Sequence, residues 1–262
     1  MARKAHVGVQ LHPQHATIDE LRDAWVRADQ LGLDSIWTWD HFFPLYGDPA
    51  GEHFEGMSLL AAMAATTSNA RLGLMVTCNS YRNPELLADM YRTIDQISGG
   101  RTYLGIGSGW FERDYTEYGF PFLTARGRLT KLEEDLPRIK GRLEQLNPGP
   151  VGSLPILIGG SGEKVTLRLV AAEADAWNTF GPPELYAAKN AVLNEWCDKL
   201  GRPRTEVERT VCVGKEDIGR FDEYLDAGAT HLIMMHGVQI PGGERTGFDF
   251  EAVTALLEWA EG

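Results

Sequence analysis

The chain has few cysteines, and the three that it has, Cys78, Cys197 and Cys212, lie far apart without a CxxC pair. This spacing argues against a zinc site or a disulfide framework as the basis of the fold. No stretch reaches the roughly 20 consecutive apolar residues of a membrane span. The first residues, MARKAHVGVQ, also lack the apolar core of a signal peptide. These absences predict a protein of the reducing cytoplasm that does not bind membranes.

Basic residues are also scarce, because 25 Lys and Arg face 37 Asp and Glu, for a formal net charge of −12. Nucleic acids and anionic membranes bind to basic patches, so neither is an expected partner. A small anionic ligand remains compatible, since a local group of backbone N–H donors can hold one. No linker-like tract divides the chain either. The stretch NPGPVGSLP (147–155) only joins a helix to a strand, so one domain over residues 1–262 is predicted.

Short apolar segments alternate with longer segments of helical periodicity. The predicted strands are 6–12, 35–40, 71–77, 101–107, 155–160, 175–181, 208–214 and 230–236. The predicted helices are 18–31, 57–67, 84–98, 124–146, 162–173, 183–200, 216–227 and 248–260. Strict alternation indicates parallel strands. Eight strand–helix pairs in roughly 250 residues predict a (β/α)8 TIM barrel, ahead of a doubly wound sheet, which usually has fewer strands.

Helix-terminal residues agree with this assignment. Asn83 followed by Pro84 is typical of a helix start, with proline at the first helical position. Gly99 follows the same predicted helix, where a left-handed residue commonly ends it.

Polar and small residues collect where the predicted strands end. In such barrels the functional side chains lie at the carboxyl ends of the strands. Those positions hold His12, Asp40, His41, Thr77, Asn79, Ser108, Gly109, Trp110, Gly160, Ser161, Gly162, Asn178, Thr179 and His236. The set is typical of a pocket, and His12 and His236 are predicted to line the part that holds the substrate.

The Asp40–His41 pair has two interpretations. In the first, Asp40 caps the following loop and His41 is a packed, hydrogen-bonded ring. In the second, His41 donates or accepts a proton, with its protonation tuned by the carboxylate and the aromatic neighbours in SIWTWDHFFPLYGD (35–48). Its place at a strand end favours the functional interpretation.

The segment GGSG (159–162) lies between a predicted strand and a predicted helix. Free N–H donors and the positive end of a helix dipole favour a phosphate there, and Lys164 or Arg168 can add charge. The alternative is a tight turn that needs glycine. By contrast, GIGSGW (105–110) has the wrong glycine spacing for a dinucleotide fingerprint.

No metal-ligand spacing, GxSxG motif or Cys–His pairing is evident in the sequence. No metal site is therefore predicted. Without a metal or an evident nucleophile, a bound organic cofactor is the expected source of the chemistry.

Several segments together resemble the luciferase-like monooxygenase superfamily, and within it the branch of oxidoreductases that use coenzyme F420, a deazaflavin. They are SIWTWDHFFPL, RLGLMVTCNSYRNPELLADM, ISGGRTYLGIGSGW, EYGFPF, LEEDLPRIK, PILIGGSGEKVTLRLVAAEADAWN and AGATHLIM. They follow one another over most of the chain. The resemblance implies a (β/α)8 barrel and a hydride transfer between F420 and a small organic substrate.

The resemblance also implies roles for the residues at the strand ends. His41 is the implied catalytic residue, near the carbon that exchanges hydride, and Asp40 contacts the ring system. The remaining implied cofactor-binding residues are Thr77, Asn79, Ser108, Gly109, Trp110, Gly160, Ser161, Gly162, Asn178 and Thr179. A non-prolyl cis peptide is expected at Leu74–Met75.

Two departures from the family pattern bear on the substrate. Relatives that oxidise sugar phosphates have an acidic residue where this chain has Trp110, which argues against glucose-6-phosphate. The insertion before the fifth strand is shortened to NPGPVGSLP. Dimers are common among relatives, so the resemblance also implies a homodimer.

Two other functions fit the same residues. One is an FMN-dependent monooxygenase of the same superfamily, because the two cofactors share a tricyclic shape. The other is a protein that binds F420 or a flavin without catalysis, which the shortened insertion favours and the number of polar residues at the strand ends disfavours.

Overall fold

The computed structural model describes residues 3–238 and 247–262, in which parallel strands alternate with helices. The strands are β1 (His6–Leu11), β2 (Ser35–Thr38), β3 (Arg71–Leu74), β4 (Thr77–Cys78), β5 (Thr102–Gly107), β6 (Ile156–Gly159), β7 (Ala176–Phe180), β8 (Glu208–Val213) and β9 (His231–His236). The helices are α1 (Ile18–Gln30), α2 (Gly56–Thr66), α3 (Pro84–Ser98), α4 (Glu112–Tyr118), α5 (Ala125–Gln145), α6 (Thr166–Glu173), α7 (Pro183–Leu200), α8 (Phe221–Asp226) and α9 (Glu251–Glu261). Short 3-10 turns at Arg204–Glu206 and Lys215–Asp217 flank β8.

The sheet closes on itself. The strands are ordered β3-β2-β1-β9-β8-β7-β6-β5-β4, and a further pairing of β3 with β5 completes the ring. β3 and β4 occupy one position of the barrel in succession, because β3 pairs with the start of β5 and β4 with its end. The result is a (β/α)8 barrel, as predicted. The shortened connection before the fifth barrel strand runs from the end of α5 to β6.

The third predicted strand, 71–77, is interrupted, and the expected position of the cis peptide was wrong by one residue. The cis bond joins Met75 to Val76 rather than Leu74 to Met75. The Met75 N–H still donates to Thr38 O at 2.7 Å, so the peptide bond before it belongs to the regular ladder. Regular pairing stops only after Met75 and resumes at Thr77.

The observed helix boundaries differ most from the predicted ones where the helices are short. The helix expected from residue 162 begins at Thr166, after a turn, and the one expected over 216–227 is reduced to a 3-10 turn and α8. Helix α4 was not predicted, because its seven residues span fewer than two full turns and carry little periodic signal. At α3 the predicted ends are confirmed. The Asn83 side chain accepts from Leu86 N at 3.0 Å, and Gly99 is left-handed with φ 72°.

Polar side chains close the amino-terminal end of the barrel. His231 bonds through Nε2 to Ser35 Oγ at 2.8 Å and through Nδ1 to Glu208 Oε1 at 2.9 Å. The Trp37 indole and the Tyr103 hydroxyl donate to the same network, to Ser35 and Glu208 respectively. Above it the interior is filled by apolar side chains, among them Leu157 and Ile233. Ligand access is therefore confined to the carboxyl end.

Within the described chain, none of the helices combines the length and the apolar character needed to cross a membrane.

Candidate active site

A cavity of about 290 Å³ opens at the carboxyl end of the barrel. Its wall comes from the carboxyl ends of seven of the eight barrel positions and the loops that follow them. The lining residues are Gln10, His12, Trp39, Asp40, His41, Leu45, Tyr46, Met75, Val76, Cys78, Gly107, Ser108, Gly109, Trp110, Gly159, Gly160, Asn178, Phe180 and Met235.

His41 is held in the wall by a buried carboxylate. Its Nδ1 lies 2.6 Å from Asp114 Oδ2, and the Asp114 side chain is fully buried. A carboxylate at this distance favours the tautomer with the proton on Nδ1. Within the described chain, His41 Nε2 has no recorded protein partner, so it is the nitrogen available to a ligand. Trp110 and Phe111 pack edge-on against the His41 ring, with centroids 5.8 and 5.6 Å away.

Asp114 is fixed by other contacts besides His41. It accepts from the Tyr81 hydroxyl at 2.8 Å and from Phe42 N at 3.1 Å. The sequence reasoning missed Asp114 because the residue lies on α4, the helix that was not predicted. The stretch from 110 to 122 is rich in aromatic residues but contains three acids, so no local signal singled out Asp114.

Asp40 lies in the wall, but both of its carboxylate oxygens are already paired. Arg82 bonds it in bidentate fashion at 2.6 and 2.9 Å, and Cys78 N donates to it at 3.0 Å. Arg82 also bonds Glu55 at 2.6 Å. Burial by itself lowers the pKa of Arg82, but the two carboxylates outweigh it and the pKa is raised. Asp40 therefore anchors the loop after β2, and Arg82 was missed because nothing in SYRNPE marks it as its partner.

The cavity brings together eight of the predicted site residues. They are His12, Asp40, His41, Ser108, Gly109, Trp110, Gly160 and Asn178. Gln10 was missed, although a polar residue in an otherwise apolar strand was a signal. Its amide donates to Met75 O at 2.9 Å and so holds the segment between β3 and β4 against the cavity.

The other predicted residues lie outside this wall. Thr77 Oγ1 is 2.5 Å from the Tyr91 hydroxyl, and Asn79 donates to Asp135 at 2.8 Å, so both side chains face the surrounding helices. Thr179 is buried in β7. Ser161 and Gly162 form an exposed loop beside Gly160.

His236 lines a second, adjoining cavity of about 410 Å³. Lys215 contributes to the same cavity, which shares His12, Tyr46 and Met235 with the first one. The two predicted substrate-pocket histidines therefore flank one continuous region of the barrel mouth.

The conformation of the GGSG loop (159–162) requires glycine at two positions, whether or not the loop binds the predicted phosphate. A Cβ added at Gly162 would lie 2.8 Å from Thr166 Oγ1, and Gly160 has φ 124°, which favours glycine. Arg168, predicted to add charge, is paired with Glu133 at 2.6 Å. Lys164 is exposed beside the loop. Phosphate binding at Gly160–Gly162 stays a prediction.

Buried titratable groups keep the cavity wall largely uncharged. Burial lowers the pKa of His12 to about 3, and His236 lowers it further. Burial also raises the pKa of the Cys78 thiol to about 11. The His12 ring stacks on Trp39 with centroids 4.3 Å apart, and its buried Nε2 has no partner among the described residues. A neutral His12 and a protonated Cys78 therefore face a ligand at neutral pH, and Cys78 is not an activated nucleophile.

Among residues 3–238 and 247–262, no group of three or more His, Cys, Asp or Glu side chains is arranged to hold a metal ion.

The barrel, the polar network at one end and the histidine-bearing cavity at the other define a (β/α)8 barrel protein with an enzyme-like site at its carboxyl face. A sequence model of the luciferase-like monooxygenase family matches residues 2–218. The chain belongs to this family, as the sequence motifs predicted.

Curated relatives include F420-dependent enzymes. The chain is 29% identical over 210 residues to an F420-dependent glucose-6-phosphate dehydrogenase of Microbacterium testaceum, covering 72% of this chain and 62% of the relative. It is 30% identical over 249 residues to a 5,10-methylenetetrahydromethanopterin reductase of Archaeoglobus fulgidus, covering 88% and 70%. The match to the dehydrogenase of Amycolatopsis mediterranei covers only 34% of that relative. The chain thus spans less than two thirds of the length of several curated relatives.

Solved structures share the fold. An F420-dependent secondary alcohol dehydrogenase in complex with an F420-acetone adduct superposes with a TM-score of 0.81 at 15% identity, covering 92% of this chain and 96% of that one. The coenzyme F420-dependent tetrahydromethanopterin reductase of Methanopyrus kandleri gives 0.70 at 17% identity, covering 88% and 93%.

The buried neutral His12 predicts a loss of stability in acid. Between pH 6.5 and about 3, the unfolded chain binds a proton at this residue that the folded chain does not. Stability therefore falls as the pH falls through this window, by about 2 kcal/mol per such histidine between pH 7 and pH 5. In urea unfolding, His12→Gln should reduce the difference between the two pH values by about that amount.

His6 is a control for this measurement because its pKa is shifted in the opposite direction to that of His12. Its hydrogen bond to Asp34 raises its pKa, so its contribution to stability is present in acid and is lost as the pH rises. His6→Gln should therefore make the acid loss steeper. An acid loss that His12→Gln leaves unchanged would contradict the neutral, buried state of His12.

Proposed function

We propose that the protein is an F420-dependent oxidoreductase that moves a hydride between the deazaflavin and a small organic substrate. The observation that carries the proposal is His41, fixed by Asp114 in the wall of a barrel-mouth cavity with Nε2 free for a ligand. The similarity to the F420-dependent dehydrogenase of Microbacterium supports the choice of cofactor. The similarity to that dehydrogenase and to the reductase of Archaeoglobus supports an oxidation or reduction as the reaction type.

The cavity fits a flat cofactor ring. Three of its lining residues, Gly107, Gly159 and Gly160, present backbone instead of side chains, so a planar group can approach closely. Val76 fills the space beneath two of them, since an added Cβ would lie 2.6 Å from it at Gly107 and 2.9 Å at Gly159. His12 lines the same cavity, and its buried Nε2 has no partner among the described residues.

The division of chemistry follows from these positions. When bound, F420 supplies or accepts the hydride. His41 Nε2 accepts the hydroxyl proton when an alcohol is oxidised and returns it to the oxygen when a carbonyl is reduced. Asp114 keeps the other ring nitrogen protonated and stabilises the imidazolium that forms. Trp110 and Phe111 pack against the ring and limit the access of water to it.

Gly160–Gly162 and the start of α6 are proposed to hold the phosphate of the cofactor. The loop is exposed, side-chain-poor and continuous with the cavity through Gly160. Thr77, Asn79 and Thr179 are proposed to support the cofactor from behind the wall, through the positions of their strands, because their side chains do not line the cavity.

Titration with cofactor tests the proposal directly. The purified protein should bind F420 with saturable quenching of deazaflavin fluorescence, and it should bind FMN more weakly. The expectation fails if FMN binds tightly while F420 gives no response, a result that would favour the FMN-dependent monooxygenase. Tight F420 binding without turnover on any alcohol or carbonyl compound would favour a non-catalytic binding protein.

The dependence of His41 on Asp114 can be measured with a double-mutant cycle. His41→Ala should lower kcat by about 10²- to 10⁴-fold, the usual contribution of a general acid–base group, and leave the F420 affinity nearly unchanged. Asp114→Asn should also lower kcat, and the double variant should be no slower than His41→Ala, because Asp114 acts through the histidine.

Tyr81→Phe is the control for this cycle, since it removes a different hydrogen bond to Asp114 and leaves the His41 contact in place. Additive losses in the double variant would show that Asp114 has a separate role. Normal turnover in His41→Ala would remove the histidine from the mechanism.

We also propose a homodimer formed through α2 and α3. These helices expose an adjoining apolar surface that includes Ala61, Leu86, Met90 and Ile97, and Leu86 and Ile97 are 54% and 48% exposed. A contiguous apolar surface on a water-exposed face is typical of a protein–protein contact.

Light scattering after gel filtration tests the dimer. The wild-type chain should have the mass of a dimer, and Leu86→Glu with Ile97→Glu should have the mass of a monomer, because two charges would be buried in the contact. Leu200→Glu, at a comparably exposed apolar residue on α7, should remain dimeric. A monomeric wild type at micromolar concentration would contradict the proposal.

A further inference from the structure

The cavity wall offers no cation to an anionic substrate. Among its described lining residues there is no Lys or Arg, and its one carboxylate, Asp40, is neutralised by Arg82. A phosphate or carboxylate placed inside would lose hydration without gaining a counter-charge, which is costly in a partly enclosed site.

The lysine of the adjoining cavity is also paired. Lys215, in the wall of the adjoining cavity, lies 3.3 Å from Asp249, and Glu216 lines that cavity as well. The adjoining cavity therefore adds no net positive charge within the described part of the chain.

Aromatic rings surround the entrance instead. Tyr46, Trp110 and Phe180 line the cavity and expose 63%, 62% and 66% of their surface. They come from three separate segments, the loop after β2, the segment after β5 and the end of β7. Single exposed apolar residues are ordinary, but three large rings around one opening form an apolar contact surface for a ligand.

The inner part of the cavity wall is also largely apolar. Leu45, Met75, Val76 and Met235 contribute aliphatic and thioether surface next to the rings. Thioethers are polarizable and adapt to flat or irregular apolar groups. The lining also has neutral polar side chains, among them His12, Ser108 and Asn178, and His41 is the residue proposed to contact the reacting oxygen.

We propose that the substrate is a neutral alcohol or carbonyl compound carrying a ring-sized apolar group, which packs against Trp110 and Phe180 while its oxygen contacts His41. The inference rests on the proposed oxidoreductase function. It assigns Trp110 and Phe180 as specificity-determining residues. It excludes phosphorylated and carboxylated substrates from this cavity.

Three methyl ketones separate the contributions of ring and charge. Acetone has the reacting group alone, acetophenone adds an uncharged ring, and 4-acetylbenzoate adds a carboxylate to that ring. Isothermal titration of the F420-loaded protein should give an affinity for acetophenone at least about tenfold higher than for either of the others. The corresponding order should appear in kcat/KM for reduction by reduced F420.

Variants at the cavity entrance test which residues favour a substrate that carries a ring. Trp110→Ala and Phe180→Ala should each weaken acetophenone binding about three- to tenfold, as expected for the loss of one aromatic contact. In both variants acetone binding should fall by a smaller factor than acetophenone binding, because acetone has no ring to lose a contact. Val151→Ala is the control, because Val151 is 56% exposed and lies at the opposite end of the barrel, just before β6.

The outcomes distinguish this inference from the proposed function. Normal F420 binding with equal affinities for acetone and acetophenone would overturn the substrate inference alone, as would tight binding of 4-acetylbenzoate or rim variants without effect. Absence of F420 binding would overturn the proposed function. If F420 does not bind, titrating the cofactor-free protein with the three ketones still tests the substrate inference. Tighter binding of acetophenone than of acetone and 4-acetylbenzoate would support it, and equal affinities would overturn it.

Discussion

A carboxylate that is removed from water has to be paired, and this requirement organises the mouth of the barrel. Asp40 and Asp114 both have fully buried side chains. Asp40 is paired with Arg82, which fixes the loop after β2 to the segment before α3. Asp114 is paired with His41, Tyr81 and the backbone of Phe42, which fixes α4 to the same loop. Asp40 and His41 are adjacent in the sequence, but Arg82 fixes the first and Asp114 fixes the second.

The same arrangement separates polar chemistry from apolar recognition. His41 is the proposed proton-transfer group, and the wall around it combines backbone, thioethers and aromatic rings with a few neutral polar side chains such as Ser108 and Asn178. His12 and Cys78 are held in uncharged forms by burial. A proton transfer at His41 would thus take place in a cavity with little competing charge, where hydrogen bonds are stronger than in water.

Much of the fold and part of the site could be predicted from local sequence. The alternation of apolar strands and amphipathic helices indicated a (β/α)8 barrel, because helical and strand periodicities are properties of short segments. The end of β2 at Asp40–His41 was likewise a local signal. Arg82 and Gln10 were missed because their roles depend on partners 42 and 65 residues away. The break in the third strand was missed because its residues are ordinary strand formers.

The sequence by itself determined the class of fold, the family and the strand ends at which the site lies, since these follow from periodicity and from motifs read in order. Only the tertiary structure decided which of those residues face one another. It turned Thr77 and Asn79 away from the cavity toward the surrounding helices, and it neutralised Asp40. It also paired His41 with an acid from an unpredicted helix and left Trp110 and Phe180 exposed at the entrance. Side-chain direction and burial depend on packing between distant segments, and no local pattern encodes that packing.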